Sequence, residues 1–120
     1  MERLTKREEE IMHIFWKIKK GFVKDIISEL PDNPPYNTIS SIVRILEKKG
    51  YLKYKQYGNT YEYSPKISKK RYAKKVFKNF LTNYFDNSYK NVVSFMVKEN
   101  KLNEKDIEEM MEIIEQNKNK

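Results

Sequence analysis

The spacing of apolar residues changes period at Gly50, and that change limits the fold more than any other feature of the chain. Before it, apolar side chains recur every three or four residues, as amphipathic helices require. After it, from Leu52 to Ser64, they alternate, as a half-buried strand requires. Gly58-Asn59 interrupts the alternation as a two-residue hairpin turn. Pairing across that turn predicts Tyr54 opposite Tyr63 and Gln56 opposite Tyr61, on the face shared with Leu52, and sets Lys55 against Glu62 on the other face. Pro65 closes the second strand.

Three short helices precede the hairpin. The first begins at Thr5, which has capping-box spacing with Glu8, and Ile11, Met12, Phe15 and Trp16 form its apolar face with Ile14 and Ile18 at the margin. His13 falls on the polar side with Glu9 and Lys17 and is expected at the surface, without a chemical role. Gly21 breaks the pattern, which resumes through Phe22, Val23, Ile26, Ile27 and Leu30. It ends at Pro31-Asp32-Asn33-Pro34-Pro35, where proline lacks the N–H a helix needs. Asn37 or Thr38 is the expected N-cap of the third helix, whose core positions are Ile39, Ile42, Val43 and Leu46. Lys48 and Lys49 suit its last turn, and Gly50 its stop. Helices followed directly by a basic hairpin predict a winged helix-turn-helix over residues 1–66, mainly α with a small β wing.

Residues 67–120 read as helical to near the end. Tyr72, Val76, Phe77, Phe80, Leu81, Tyr84 and Phe85 trace one long stripe, and Val92, Val93, Phe95, Met96 and Val97 belong to a short second helix. Asn103 can cap a third, with Ile107, Met110, Met111 and Ile114 as its apolar face, before a polar tail at Asn117 to Lys120 that is expected to fray. So short a segment cannot bury this many aromatic side chains by itself. Either the stripes fold back on the N-terminal domain, or they pack against a second chain. The second is the preferred expectation, making 67–120 a helical dimerisation region.

Charge separates the segments further. Residues 1–36 balance seven Lys/Arg against seven Asp/Glu, 37–66 carry six basic groups against two acidic, and 67–78 add six basic groups and no acid. Residues 99–115 reverse the sign, with seven acids against Lys101 and Lys105. A net charge of +8 concentrated over the second half of the motif suits a polyanion. The 120 residues contain no cysteine and one histidine, which removes disulfides, thiolate metal sites and a cysteine nucleophile, and makes a histidine-rich metal site or a Ser-His-Asp triad improbable. Three glycines supply no phosphate-cradling loop, and neither a secretory segment behind Met1-Glu2-Arg3-Leu4-Thr5 nor a membrane span is expected. Glu8-Glu9-Glu10 and Glu108-Glu109 read as solvated helix faces rather than paired catalytic acids. No cofactor, metal or enzymatic activity is therefore expected, and the cytoplasm is the expected location.

The apolar face of the third helix fixes which side chains point outward. They are Thr38, Ser40, Ser41, Arg44 and Lys48, with Asn37 at the N-terminal end, where recognition helices meet base edges. Arg44 is the one long donor suited to bidentate contact with guanine, and no carboxylate stands four residues to either side. Lys53, Lys55, Tyr57, Asn59 and Thr60 on the wing are placed for the phosphate backbone. Tyr54, Tyr61 and Tyr63 are expected in the core of the wing. A reading from another class makes the winged helix a protein-interaction module, with the acidic helix near 104–115 and the aromatic stripe as partner surfaces. A fragment of residues 1–66 separates the two, because only the first reading predicts sequence-selective DNA affinity.

The order of these segments also resembles the BlaI/MecI/CopY type of transcriptional regulator, the penicillinase repressor family. The matching stretches are Leu4 to Met12 with Trp16, Tyr36 to Ser40, and Val43 to Tyr51, followed by Val93-Ser94-Phe95 and Leu102 to Glu109. The resemblance implies a homodimer that binds a palindromic double-stranded operator and represses transcription. In the beta-lactam branch it further implies derepression by cleavage of an Asn-Phe bond after a membrane sensor protease is activated. Ser94-Phe95 is the corresponding candidate here, with serine where asparagine is expected. The copper-responsive branch uses a C-terminal cysteine cluster, which this chain lacks.

Overall fold

The computed structural model describes residues 3–118, so Met1, Glu2, Asn119 and Lys120 lie outside the described residues. It contains α1 (Lys6–Ile18), α2 (Val23–Glu29), α3 (Tyr36–Lys48), β1 (Leu52–Tyr57), β2 (Thr60–Pro65), α4 (Lys69–Phe85), α5 (Tyr89–Lys98) and α6 (Glu104–Lys118). The chain divides into two compact units, Met1–Ala73 and Lys74–Lys120.

In the first unit the local signals act as the sequence predicts at most positions. The Glu8 N–H donates to Thr5 Oγ1 at 3.2 Å while Glu8 Oε1 accepts from the Thr5 N–H at 2.8 Å, a reciprocal cap on α1. Asp25 Oδ2 accepts from the Phe22 N–H at 2.8 Å and so opens α2. At the end of α3, Gly50 takes φ 86, a left-handed conformation that suits glycine. The Gly50 and Tyr51 N–H groups then donate to the carbonyls of Glu47 and Leu46, each at 3.0 Å.

The start of α3 differs from expectation. Pro35, at φ −61 and ψ 144, occupies the cap position with no side-chain hydrogen bond, and the helix begins at Tyr36. Proline has no N–H to satisfy and already holds the φ a helix start needs. Asn37 and Thr38 therefore lie in the first turn, not at the cap.

The hairpin has the predicted register, with Tyr54 paired to Tyr63, Lys55 to Glu62 and Gln56 to Tyr61. Gly58, at φ 59, takes the first turn position. The base of the wing is tied to the connection between α1 and α2. Gly21 and Tyr63 exchange two backbone hydrogen bonds, at 2.9 and 2.8 Å.

The core of this unit joins Ile11, Met12, Phe15 and Trp16 of α1 to Ile26, to Ile39, Val43 and Leu46 of α3, and to Tyr51, Leu52, Tyr63, Ile67 and Tyr72. Complete burial of a side chain such as Phe15 contributes roughly 1.5–3 kcal/mol. Trp16 Nε1–H donates to the Ile67 carbonyl at 2.9 Å. Tyr72 is a correction to the sequence reading, which set it on the stripe expected to pack against a second chain. It is buried, its ring lies 5.6 Å from that of Trp16 and 5.8 Å from that of Tyr51, and its hydroxyl donates to Glu9 at 2.7 Å. Burial foremost, with the Glu9 hydrogen bond behind it, pushes that hydroxyl well above the usual tyrosine range. The first turn of α4 thus belongs to the first unit.

In the second unit α6 is capped at Asn103 as predicted, and Ser88 caps α5 without having been singled out in the sequence. Ser88 Oγ accepts from the Asn91 N–H at 3.1 Å. Asn103 and Asp106 cap α6 reciprocally at 2.9 and 3.0 Å. Asn117 and Lys118, expected to fray, continue α6. Rings contact one another along the unit, Phe77 with Phe80 and Tyr89, and Phe80 and Phe95 with Phe85. Yet Leu81 is its one buried apolar side chain among the described residues.

Candidate nucleic-acid interface

Because Ile39, Val43 and Leu46 face the core, the opposite side of α3 is held outward. Asn37, Thr38, Ser41, Arg44 and Lys48 are exposed there, and Ser40 is half-buried at the edge toward the wing. On the hairpin Lys53, Lys55, Tyr57, Asn59 and Thr60 are exposed. Two hollows separate helix from wing. A cleft of about 410 Å³ is lined by Phe22, Val23, Lys24, Tyr36, Asn37, Ser40, Arg44, Asn59, Thr60, Tyr61 and Tyr63. A shallower one of about 230 Å³ is lined by Arg44, Glu47, Lys48, Tyr54, Tyr61 and Tyr63.

Arg44 borders both hollows and makes no ion pair among the described residues. Its guanidinium is therefore available to an outside acceptor. Burial pushes the Tyr63 hydroxyl up from its usual value, and the nearby Arg44 charge opposes that shift.

The two lysines at the end of α3 take different parts. Lys48 is exposed. Lys49 turns back to α1 and donates to Glu8 Oε1 at 2.8 Å. Burial acts to raise the Glu8 carboxyl, but the hydrogen bonds from Lys49 and Thr5 outweigh it and hold the group below its usual value.

Two tyrosines depart from expectation. Tyr63 is buried, but Tyr54 and Tyr61 are exposed, their rings 5.0 Å apart. A two-stranded hairpin has too little material to cover its own face, so both rings open onto the shallower hollow. Toward the tip, Tyr57 contacts the Phe22 ring at 6.1 Å while Lys55 Nζ stands 5.3 Å from the centre of the Tyr57 ring. Sequence reasoning missed Tyr36 and Tyr61 as lining residues. The exposed position of Tyr36 directly after two prolines was the available signal.

The other candidate residues lie in the second unit. Val76, Phe77, Phe80, Tyr84, Phe95, Met110, Met111 and Ile114 are exposed, while Phe85, Val93, Met96 and Ile107 are half-buried. Ser94-Phe95 lies in the middle of α5, with Ser94 exposed. Among the described residues no helix is long and apolar enough to cross a membrane.

Known proteins carry the same pattern. A family model described as penicillinase repressor matches residues 4–116. The chain is 25% identical over 120 residues to a penicillinase repressor of Bacillus licheniformis, covering 98% of this chain and 94% of the relative. It is 28% identical over 113 residues to a penicillinase repressor of Staphylococcus aureus, covering 92% and 90%. Similarity to the methicillin resistance regulatory protein MecI of Staphylococcus aureus (strain N315) is 25% over 113 residues, covering 92% of each chain. Among solved structures, the solution structure of the DNA binding domain of the repressor BlaI matches with a TM-score of 0.52 and 28% identity, covering 58% of this chain and 88% of that one. The chain belongs to the penicillinase repressor family and has the winged-helix fold of its DNA-binding domains.

Proposed function

We propose that two copies of this chain bind a palindromic operator through their α3 helices and so repress transcription. DNA-binding repression is the function of the family to which the chain belongs. The observation that carries the reading is Arg44, long, cationic and without an ion pair among the described residues, on the exposed side of α3 between two hollows that the wing closes. In the major groove a guanidinium reads guanine O6 and N7 bidentately, while Asn37, Thr38, Ser40, Ser41 and Lys48 reach bases or phosphates from the same face. Lys53, Lys55, Tyr57, Asn59 and Thr60 hold the backbone beside the groove.

Dimerisation falls to the second unit, residues 74–120. The support is that Leu81 is its single buried apolar side chain among the described residues, set against exposed Phe77, Phe80, Phe95, Met111 and Ile114. Such a surface is covered when two chains pack together. A two-fold dimer matches two half-sites about one or two helical turns apart. Cleavage of Ser94-Phe95 by a membrane sensor protease would sever α6 from α4 and release the operator. The chain would act in the cytoplasm, where the operator is.

Footprinting on the DNA upstream of the protein's own gene, at low and moderate salt, tests the reading. Two protected half-sites and an affinity that falls steeply with salt are expected. Uniform binding to unrelated duplexes, or none, refutes it and favours a protein-interaction module.

A further inference from the structure

Ile45 is the one strongly apolar side chain on the outward side of α3 past its first turn, and it is 45% exposed. Leu46, next to it in sequence, and Val43, two positions before it, are fully buried. Successive helix residues are rotated by about 100°, which sets Ile45 on the side of Ser41, one turn earlier, and away from the wing. It lines neither of the hollows that Arg44 borders. Its exposed neighbours Thr38, Ser41, Arg44 and Lys48 are polar or cationic, while Ile42, one turn earlier, is half-buried against the core. A β-branched residue is a weaker helix former than the Lys, Glu or Arg that such a position ordinarily takes, so local propensity does not account for it.

The apolar group that a base pair presents in the major groove is the C5-methyl of thymine; every other recognition feature there is a hydrogen-bond donor or acceptor. We infer that Ile45 is a specificity-determining residue that packs against a thymine methyl in each half-site. The inference rests on the DNA-binding reading above and adds to it a base preference carried by apolar contact rather than by hydrogen bonding. Arg44 and Ile45 then divide the face, the guanidinium on the wing side and the aliphatic chain on the other.

The test uses the full chain and a duplex that the parent protein selects from a randomised pool. Each thymine of that duplex is replaced singly by deoxyuridine, which removes the methyl and keeps every hydrogen-bonding group. At one thymine per half-site the parent should lose affinity about threefold to tenfold. Ile45→Ala should bind the thymine and deoxyuridine duplexes equally at that position, and keep the parent's response at the others. Its melting temperature should match the parent's, because the side chain is exposed. A parent indifferent to every deoxyuridine overturns the inference, as does an Ile45→Ala variant that keeps the parent's loss at each position. A pool that yields no preferred sequence overturns the DNA-binding reading itself, and the two failures are distinguishable.

Discussion

Replacing Glu8 with alanine removes two interactions at once, because one carboxylate both caps α1 and receives the Lys49 ammonium. The cap contributes roughly 0.5–1 kcal/mol. A hydrogen bond to a charged group contributes about 1.5–3 kcal/mol, and the Glu8–Lys49 pair lies toward the upper part of that range because its side chains are only 6% and 20% exposed. The expected loss is therefore about 2–4 kcal/mol, a fall in melting temperature on the order of 10–30 °C for a unit of this size. Lys49→Met should lose only the second part, and the double-mutant cycle should show a coupling of about 1 kcal/mol or more. The pH dependence follows from the sign of the shift. The folded carboxyl sits below its usual 4.5, so its contribution is present above that value and is lost as pH falls through the lower native one. Glu8→Gln keeps an acceptor for the Thr5 N–H but not the charge. The stability gap between parent and Glu8→Gln, followed by thermal melts from neutral to acid pH, should close on acidification. A cycle coupling below about 0.3 kcal/mol, or a gap unchanged by acid, refutes the reasoning.

Other substitutions separate the remaining roles. Arg44→Ala should cost about 1–3 kcal/mol at one base position per half-site and relax the preference there, measured by competition between variant duplexes. Lys55→Ala should weaken all sequences alike and lower the slope of log affinity against log salt by about one. Tyr72→Ala should destabilise the first unit by about 3–5 kcal/mol in denaturant titration, and a fragment of residues 1–66 should unfold far more readily than one of residues 1–73. Phe80→Asp with Met111→Asp should shift the full chain from dimer to monomer in sedimentation, with the Tyr51 and Trp16 environment of the first unit unchanged.

Local chemistry made much of this fold readable in advance. The Thr5–Glu8 cap, the left-handed Gly50 and the Gly58-Asn59 turn each depend on residues within a few positions of one another, and pairing outward from the turn determined the register. Contacts between distant segments were less legible. A helical stripe does not say what covers it, so Tyr72 was grouped with Val76 and Phe80 although Trp16 and Tyr51 enclose it. Lys49 could be expected at a helix end, but not that Glu8, 41 residues away, would hold it. On the candidate interface, helical period was enough to orient Asn37, Ser41, Arg44 and Lys48, since the core face leaves them no alternative. Tyr54 and Tyr61 were misjudged because alternation identifies the face of a strand, not whether anything lies over it.

The exchange of hydrogen bonds between Gly21 and Tyr63 bears on how the wing forms and opens. These residues are 42 positions apart, so the hairpin can lock onto the body only after the long loop between them, which carries α2, α3 and β1, has closed. The tie between wing and body is then expected to form late in folding, whereas the hairpin itself pairs locally across its turn. Once formed, the amides of Gly21 and Tyr63 can exchange with solvent only by an opening that frees both, whereas Asn59 at the tip exchanges by local fraying. A wing built this way is expected to be freer at its Gly58-Asn59 tip, the end proposed to meet the phosphates, than where Tyr63 joins the body.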